Sequence, residues 1–207
     1  MNTNSISFLL AAPDCALFYQ TDQLCASDQN RLKANPALSC RIDWQVSRYL
    51  KQQSTLPLLS LSHSKGAALL AASASSAVVG VDLEKIRPRD FAALSAYSCS
   101  SIERQWLAER GWTAEDYYRL WTLKEAMVKA AGLNFPAAMP HIGLIQHTDG
   151  TLGLQDATGH TWHGISALCQ DWALACVWDR CHTYQPIWQF FGSFSGMKVP
   201  LRDIWQL

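Results

Sequence analysis

The sequence has no excess of charge of either sign. Its 17 lysines and arginines balance 17 aspartates and glutamates, so the formal net charge is zero. A strongly basic surface of the kind that binds nucleic acid is therefore not indicated, and we expect no nucleic-acid partner. The hydrophobic fraction of 49% over 207 residues is enough to bury a core, in one domain or two small ones.

Long apolar runs and paired cysteine motifs are also missing. The longest weakly polar run, Gly66–Val81, is too short to cross a bilayer, so we expect no membrane association. The opening segment MNTNSISFLLAAPD has no basic region and too short an apolar run for a signal peptide. The seven cysteines show no C-x-x-C spacing, which favours reduced thiols. We therefore expect a cytoplasmic protein, and we expect it to be a monomer.

The pattern of apolar residues predicts an α+β fold. Helical spacing alternates along the chain with short strand-like runs bounded by turn signals. The predicted order is a helical region over 28–53 broken at Pro36, two or three strands over 56–84, helices over 100–110 and 113–132, and strands over 141–179.

Each half of this pattern can form a small α+β unit with helices packed on one sheet. We place the boundary between residues 79 and 80, which gives an N-terminal half, 1–79, and a C-terminal half, 80–207. The runs AALLAAS and AVVGVDLE pair either as a hairpin or as strands of adjacent halves. The tail from Tyr184 onward is rich in aromatic residues, so we expect it to lie back on the body rather than to be disordered.

The segment GVDLEKIRPRD ends an apolar run with two acids, Asp82 and Glu84. Side chains two residues apart on a strand point to the same face, where like charges repel unless a cation lies between them. An isolated D-x-E is usually a strand end that emerges into solvent. The second acidic segment of the chain makes a shared site the stronger interpretation.

That second segment is the predicted helix LWTLKEAMVKAAGL, in which Glu125 and Lys129 are one turn apart. Alone, such a pair is an ordinary surface ion pair worth about 0.3–0.5 kcal/mol. Together the segments supply three carboxylates and a lysine, which suit Mg²⁺ and a phosphate-bearing substrate. There is no G-x-x-x-x-G-K-[ST] motif, so a P-loop nucleotide enzyme is excluded.

The two segments together resemble the paired signature of the Sfp-like 4′-phosphopantetheinyl transferases, G-[IV]-D-x-E followed by W-[ST]-x-K-E-[AS]-x-x-K. Every fixed position of both parts is present: Gly80, Asp82, Glu84, Trp121, Thr122, Lys124, Glu125, Ala126 and Lys129. LSLSHSKG resembles the family's N-x-S-H-[ST] segment, with Ser60 where asparagine is usual. CSSIERQWL resembles F-[ST]-x-x-E-x-x-W-L, with Cys99 in place of an aromatic residue. RIDWQVSRYL resembles the upstream helix that contacts coenzyme A.

The resemblance implies two similar α+β halves related by a pseudo-twofold axis, with coenzyme A and Mg²⁺ in the cleft between them. The implied reaction moves the phosphopantetheine arm of coenzyme A to a serine of an apo acyl or peptidyl carrier protein. Adenosine 3′,5′-bisphosphate is released. Two alternatives remain at this point: a non-catalytic module that binds coenzyme A or a carrier protein, and a Mg²⁺-dependent phosphohydrolase.

The resemblance also implies catalytic roles. Asp82, Glu84 and Glu125 would hold Mg²⁺, with Mn²⁺ as the alternative ion. Glu125 or Glu103 would accept the proton of the incoming serine. Lys129 would stabilise charge on the leaving phosphate.

Other residues are expected to bind coenzyme A. Arg41 and His63, with the neighbouring Ser62, would hold its 3′-phosphate, and Lys124 would assist at the phosphates. Arg48 is expected to be structural. A basic run after the metal strand is the candidate surface for an acidic carrier protein, with solvated loop charges as the equally weighted alternative: Lys85, Arg87 and Arg89.

Overall fold

The structure is a computed structural model of the chain, and it describes residues 4–197 and 202–203. Within these residues the helices are α1 (Ala26–Ala34), α2 (Ile42–Gln53), α3 (Phe91–Ser98), α4 (Ser101–Glu109) and α5 (Ala114–Ala130). The strands are β1 (Asn4–Ala11), β2 (Leu58–Ser64), β3 (Ala67–Ala72), β4 (Val79–Lys85), β5 (Gly143–Gln146), β6 (Leu152–Gln155), β7 (Thr161–Cys169), β8 (Trp172–Asp179), β9 (Tyr184–Phe191) and β10 (Arg202–Asp203).

The first of two compact units is built on a four-stranded sheet in the order β2-β3-β1-β9. It contains the described residues up to Ser76 together with Tyr184–Met197. Strand β3 reads AALLAA and is buried along its whole length, as expected for the centre of a sheet. Helix α2 packs on this sheet, with Val46 and Leu50 fully buried in the shared core. The unit is therefore a helix-on-sheet layer structure.

The second unit, which includes Ala77–Thr183, has an antiparallel sheet in the order β4-β8-β7-β6-β5, with β10 beside β7. Helix α5 packs on β4, β8 and β7. Its buried stripe includes Leu120, Leu123 and Met127, which belong to one core with Ala175 and Val177 of β8. The strand β4 that carries the two predicted acids is thus an edge strand covered by α5.

The predicted α+β class is confirmed, and most of the predicted elements are present. The helical region over 28–53 is broken where expected, because a short 3₁₀ helix, Pro36–Cys40, separates α1 from α2. The alternative of adjacent halves is confirmed for β3 and β4, which belong to different sheets. Strand β1 and helix α3 are elements that the sequence analysis did not predict.

The aromatic tail packs on the first unit over Tyr184–Met197, whereas β10 pairs with β7 of the second unit. Strand β9 pairs in parallel with β1, and Trp188 stacks on Phe8 with ring centroids 4.9 Å apart. This pairing differs from the division at residues 79 and 80, which gave the whole tail to the C-terminal half. Trp205, which also contributed to the prediction, lies outside the described residues. No helix in the described part of the chain is long and apolar enough to span a membrane.

Candidate functional site

The two acids of β4 lie on one face of the strand, near the buried end of the site. Asp82 is 1% exposed, and Glu84 is half-buried. Their cross-strand neighbours on β8 are Ala175 and Ala173. Directly paired residues of neighbouring strands point to the same face, so both carboxylates stand beside methyl groups that leave space around them.

Gly80 allows α5 to lie directly against β4. A Cβ atom at this position would come within 1.8 Å of the Ala126 carbonyl oxygen and 2.8 Å of the Ala130 nitrogen. Only glycine therefore fits between the strand and the helix backbone. Helix α5 is capped by Thr113, whose side-chain oxygen accepts a hydrogen bond from the Asp116 nitrogen, and its 17 residues extend past the contact with β4.

This close packing brings a third carboxylate to the acids of β4. Asp82, Glu84 and Glu125 each offer an oxygen, and these oxygens lie within 4.8 Å of one another. We call these three residues the carboxylate group. An all-oxygen donor set of this size fits a hard divalent cation such as Mg²⁺, which completes its shell with water or substrate phosphate. The predicted ligands are therefore brought together; their role in binding a metal stays a prediction.

Lys129 lies one turn after Glu125 and reaches the same place. Its Nζ donates to Asp82 Oδ1 at 2.8 Å and to the Val81 carbonyl oxygen at 3.1 Å. The lysine side chain is 33% exposed, whereas that of Asp82 is 2% exposed. The ammonium group of Lys129 therefore lies among the three carboxylates on their solvent-exposed side.

Burial and like charges act together on Glu125. Desolvation is the largest effect, and with the charges of Asp82 and Glu84 it raises the pKa of Glu125 to about 7. The charge of Lys129 and a hydrogen bond from Trp121 act in the opposite direction. Burial and the two neighbouring carboxylates together therefore outweigh the effect of Lys129 on the pKa of Glu125.

Glu103 and Lys124 are both fully buried and form an ion pair with each other. Glu103 Oε2 also accepts from the Ser100 nitrogen at 2.8 Å, and Oε1 accepts from the Leu144 nitrogen at 2.9 Å. The first of these bonds completes a capping box at the start of α4. Glu103 is not in the carboxylate group. The pair therefore connects α4, α5 and β5, and this contact was not predicted from the sequence.

The residues predicted to hold the 3′-phosphate of coenzyme A lie in the first unit. Arg41 is the N-cap residue of α2, its side chain is 59% exposed, and its Nη2 is 4.0 Å from Asp43 Oδ2. On β2, Ser62 is buried and His63 is exposed, because successive residues of a strand face opposite sides. The assignment of these residues to coenzyme A stays a prediction.

Arg48, expected to be structural, is 4% exposed. Its Nη2 donates to Asp28 Oδ1 at 2.9 Å, and its guanidinium lies 3.7 Å from the centroid of the Trp44 ring. The ion pair joins α1 to α2, which confirms the interpretation.

An open groove of about 360 Å³ begins at Glu84. Three of its six lining residues are aromatic, and the lining consists of Glu84, Arg89, Leu94, Tyr117, Tyr118 and Trp121. The sequence signal for this groove is the aromatic spacing in DYYRLW, which the helical pattern alone assigns to the core. Of the three residues of the basic run, Arg89 lines the groove, whereas Lys85 is the last residue of β4 and pairs with Asp171.

Fold and site together define an α+β protein with a carboxylate group and a lysine where a helix crosses the edge strand of a sheet. Residues 78–177 match the family model of the 4′-phosphopantetheinyl transferase superfamily. The match contains β4, α5 and every residue of the carboxylate group. It concerns the superfamily as a whole and covers just under half of the 207 residues.

Among solved structures, the chain is similar to a holo-(acyl-carrier-protein) synthase from Bacillus anthracis in complex with CoA (3′,5′-ADP). The identity is 19% and the TM-score 0.40, over 48% of this chain and 92% of that one. It is also similar to the holo-[acyl-carrier-protein] synthase of Thermotoga maritima. There the identity is 19% and the TM-score 0.38, over 49% of this chain and 62% of that one. A comparison with curated proteins finds no match.

Proposed function

We propose that this protein transfers the 4′-phosphopantetheine arm of coenzyme A to a serine of an apo acyl or peptidyl carrier protein. The observation that carries the proposal is the convergence of Asp82, Glu84 and Glu125 within the segment that matches the superfamily. The full paired signature of the Sfp-like branch supports assignment to that branch. The proposal includes a cytoplasmic location, a monomeric enzyme, and no part for nucleic acid or membrane.

In this proposal the serine oxygen forms a bond to the phosphorus that carries the pantetheine arm. The bond from that phosphorus to the bridging oxygen breaks, and the bridging oxygen leaves with adenosine 3′,5′-bisphosphate. The serine proton passes to a protein carboxylate, directly or through one water molecule. No oxidant or second substrate is needed.

The carboxylate group would hold Mg²⁺ or Mn²⁺, which when bound neutralises the pyrophosphate and polarises the attacked phosphorus. Lys129 donates to oxygens of the leaving phosphate and stabilises the charge that develops there. Arg41 and His63 hold the 3′-phosphate of coenzyme A through charged hydrogen bonds. Ser62, the preceding residue of β2, is buried on the opposite side of the strand and would act by positioning His63. These residues bind and orient the substrate.

We assign the role of proton acceptor to Glu125 rather than to Glu103. Both oxygens of Glu103 are engaged by donors from Ser100, Leu144 and Lys124, and its side chain has no exposed surface. Glu125 lies in the carboxylate group and is only partly buried. Because Lys124 is buried in its ion pair with Glu103, we assign the contact with phosphate to Lys129 rather than to Lys124.

The test is a transfer assay. The protein is incubated with coenzyme A, Mg²⁺ and several apo carrier proteins from fatty acid, polyketide and nonribosomal peptide pathways, and the carriers are weighed by intact-protein mass spectrometry. We expect one phosphopantetheine arm to be added to at least one carrier, and none with Asp82→Asn. Failure on every carrier, with coenzyme A still bound, would favour the binding module.

A further inference from the structure

Lys129 is the cation that the structure places inside the carboxylate group. Two anchors of its Nζ are an oxygen of Asp82 at 2.8 Å and the backbone carbonyl oxygen of Val81 at 3.1 Å. The first anchor is a predicted metal ligand. The second belongs to the backbone of β4 and is not a member of the carboxylate group.

The two partners of the ion pair differ in their freedom to move. The side chain of Asp82 is 2% exposed, on a strand packed under α5, whereas that of Lys129 is 33% exposed. A lysine side chain is a flexible chain of four carbons that ends in a compact ammonium group. The ammonium group can therefore shift while the helix backbone stays in place. Asp82 Oδ1 can therefore change its cationic partner without a change in the backbone.

We propose that Lys129 is an internal counterion that competes with a divalent cation for Asp82. In the metal-free protein it offsets repulsion among the three carboxylates. When a divalent cation binds, Lys129 releases Asp82 Oδ1 and keeps its bond to the Val81 carbonyl oxygen. The proposal rests on the proposed metal site, and it adds a regulatory role to a residue otherwise assigned only to phosphate.

This exchange has a cost and a benefit. Because the lysine must be displaced from Asp82, it weakens the affinity of the carboxylate group for a divalent cation. In return, the fold does not require a bound ion to hold three acids together. After release, the ammonium group stays beside the site, where it can contact a phosphate of the substrate.

The test is a Mn²⁺ titration of the full-length protein without coenzyme A, in which free Mn²⁺ is followed by electron paramagnetic resonance. Lys129→Met is expected to bind Mn²⁺ about tenfold more tightly than the wild type, since one partly buried positive charge is removed. Lys129→Gln is measured alongside, in case the methionine variant does not fold. The matched control is Lys85→Met, which removes a lysine of β4, the strand of Asp82, that is paired with Asp171.

A second readout is thermal stability. Without metal, Lys129→Met is expected to melt below the wild type, and saturating Mn²⁺ is expected to raise its melting temperature by the larger increment. The Kd of Lys85→Met is expected to stay within about twofold of the wild type, because Lys85 alternates with Glu84 along β4 and so faces the opposite side of the strand. Its ammonium group pairs there with Asp171.

The outcomes separate this proposal from the proposed function. If Asp82→Asn leaves Mn²⁺ binding unchanged, or if neither the wild type nor the lysine variants bind Mn²⁺, the metal site itself is wrong. If Asp82→Asn removes binding but both Lys129 variants bind no more tightly than the wild type, only the counterion role is overturned. Tighter binding by Lys129→Met or Lys129→Gln, with Lys85→Met unchanged, supports it.

Discussion

Glu125 is held between two opposing requirements. Its place on the side of α5 that faces β4 buries it beside Asp82 and Glu84, which favours the neutral acid. A role as metal ligand or proton acceptor requires the ionised form. The nearby Lys129 reduces this conflict without removing it, because the pKa of Glu125 still rises to about 7.

The metal-free protein should therefore lose stability as pH rises. The pKa of Glu125 is 4.5 in a model compound and about 7 in the fold. Between these values the folded state binds the proton more strongly than the unfolded state, so each rise in pH lowers the free energy of unfolding. Above pH 7 both states are ionised, and the loss is complete.

Glu125→Gln cannot ionise and should not show this loss. We expect the difference in free energy of unfolding between Glu125→Gln and the wild type, measured with a chelator present, to shift in favour of the variant by roughly 1–3 kcal/mol from pH 5 to pH 8. Urea unfolding at several pH values measures the difference. Glu115→Gln, at an exposed site in the first turn of α5, is the control. Parallel pH profiles for wild type and Glu125→Gln would contradict the account.

At the scale of elements, the contact of α5 with β4 assembles the site. The strand supplies Asp82 and Glu84, the helix supplies Glu125 and Lys129, and Gly80 sets the distance between the two backbones. The geometry of the carboxylate group is therefore a property of one strand–helix contact.

Gly80→Ala should disturb this contact. The new Cβ would meet backbone atoms of α5, which cannot rotate away, so the helix must move. We expect a loss of stability of about 1–3 kcal/mol and loss of Mn²⁺ binding, measured by urea unfolding and by titration. The matched control is Gly153→Ala in β6, whose Cβ would meet only the movable ring of His147. Equal Mn²⁺ affinity in Gly80→Ala and wild type would show that the contact does not set the site.

The Glu103–Lys124 ion pair is a contact between α4 and α5. Removing one partner leaves an unpaired buried charge, so Glu103→Gln and Lys124→Met should each cost about 3–5 kcal/mol. The double variant Glu103→Gln/Lys124→Met should recover much of that loss and keep measurable transfer activity. A double variant that folds with wild-type stability but has no transfer activity would indicate that Glu103 takes part in the reaction.

At the scale of the whole molecule, local patterns predicted what depends on local spacing. The period of α5 and the alternation of β4 placed the acids and Lys129 on the correct faces. The parallel pairing of β9 with β1 joins segments from opposite ends of the chain, and no local pattern encodes it. The buried Glu103–Lys124 pair was also missed, because its two members lie on different helices, α4 and α5, and no local spacing relates them.

The first unit contributes the predicted contact with coenzyme A. Arg41→Ala should raise KM for coenzyme A about ten- to a hundredfold and change KM for 3′-dephospho-coenzyme A much less, since a charged hydrogen bond to the 3′-phosphate is lost. Steady-state kinetics on both substrates measures the difference. Arg180→Ala, at an exposed arginine after β8, should affect neither KM. An equal increase in KM for both substrates would show that Arg41 does not contact the 3′-phosphate.

The central claim is that bond breaking in coenzyme A is coupled to acceptance by a carrier serine. The most direct measurement follows adenosine 3′,5′-bisphosphate by chromatography and the carrier by mass in the same time course, with an apo carrier, with its Ser→Ala variant, and with no carrier. We predict one nucleotide released for each carrier modified, and none in the other two reactions. Nucleotide release without a carrier serine would contradict the claim and identify a phosphohydrolase.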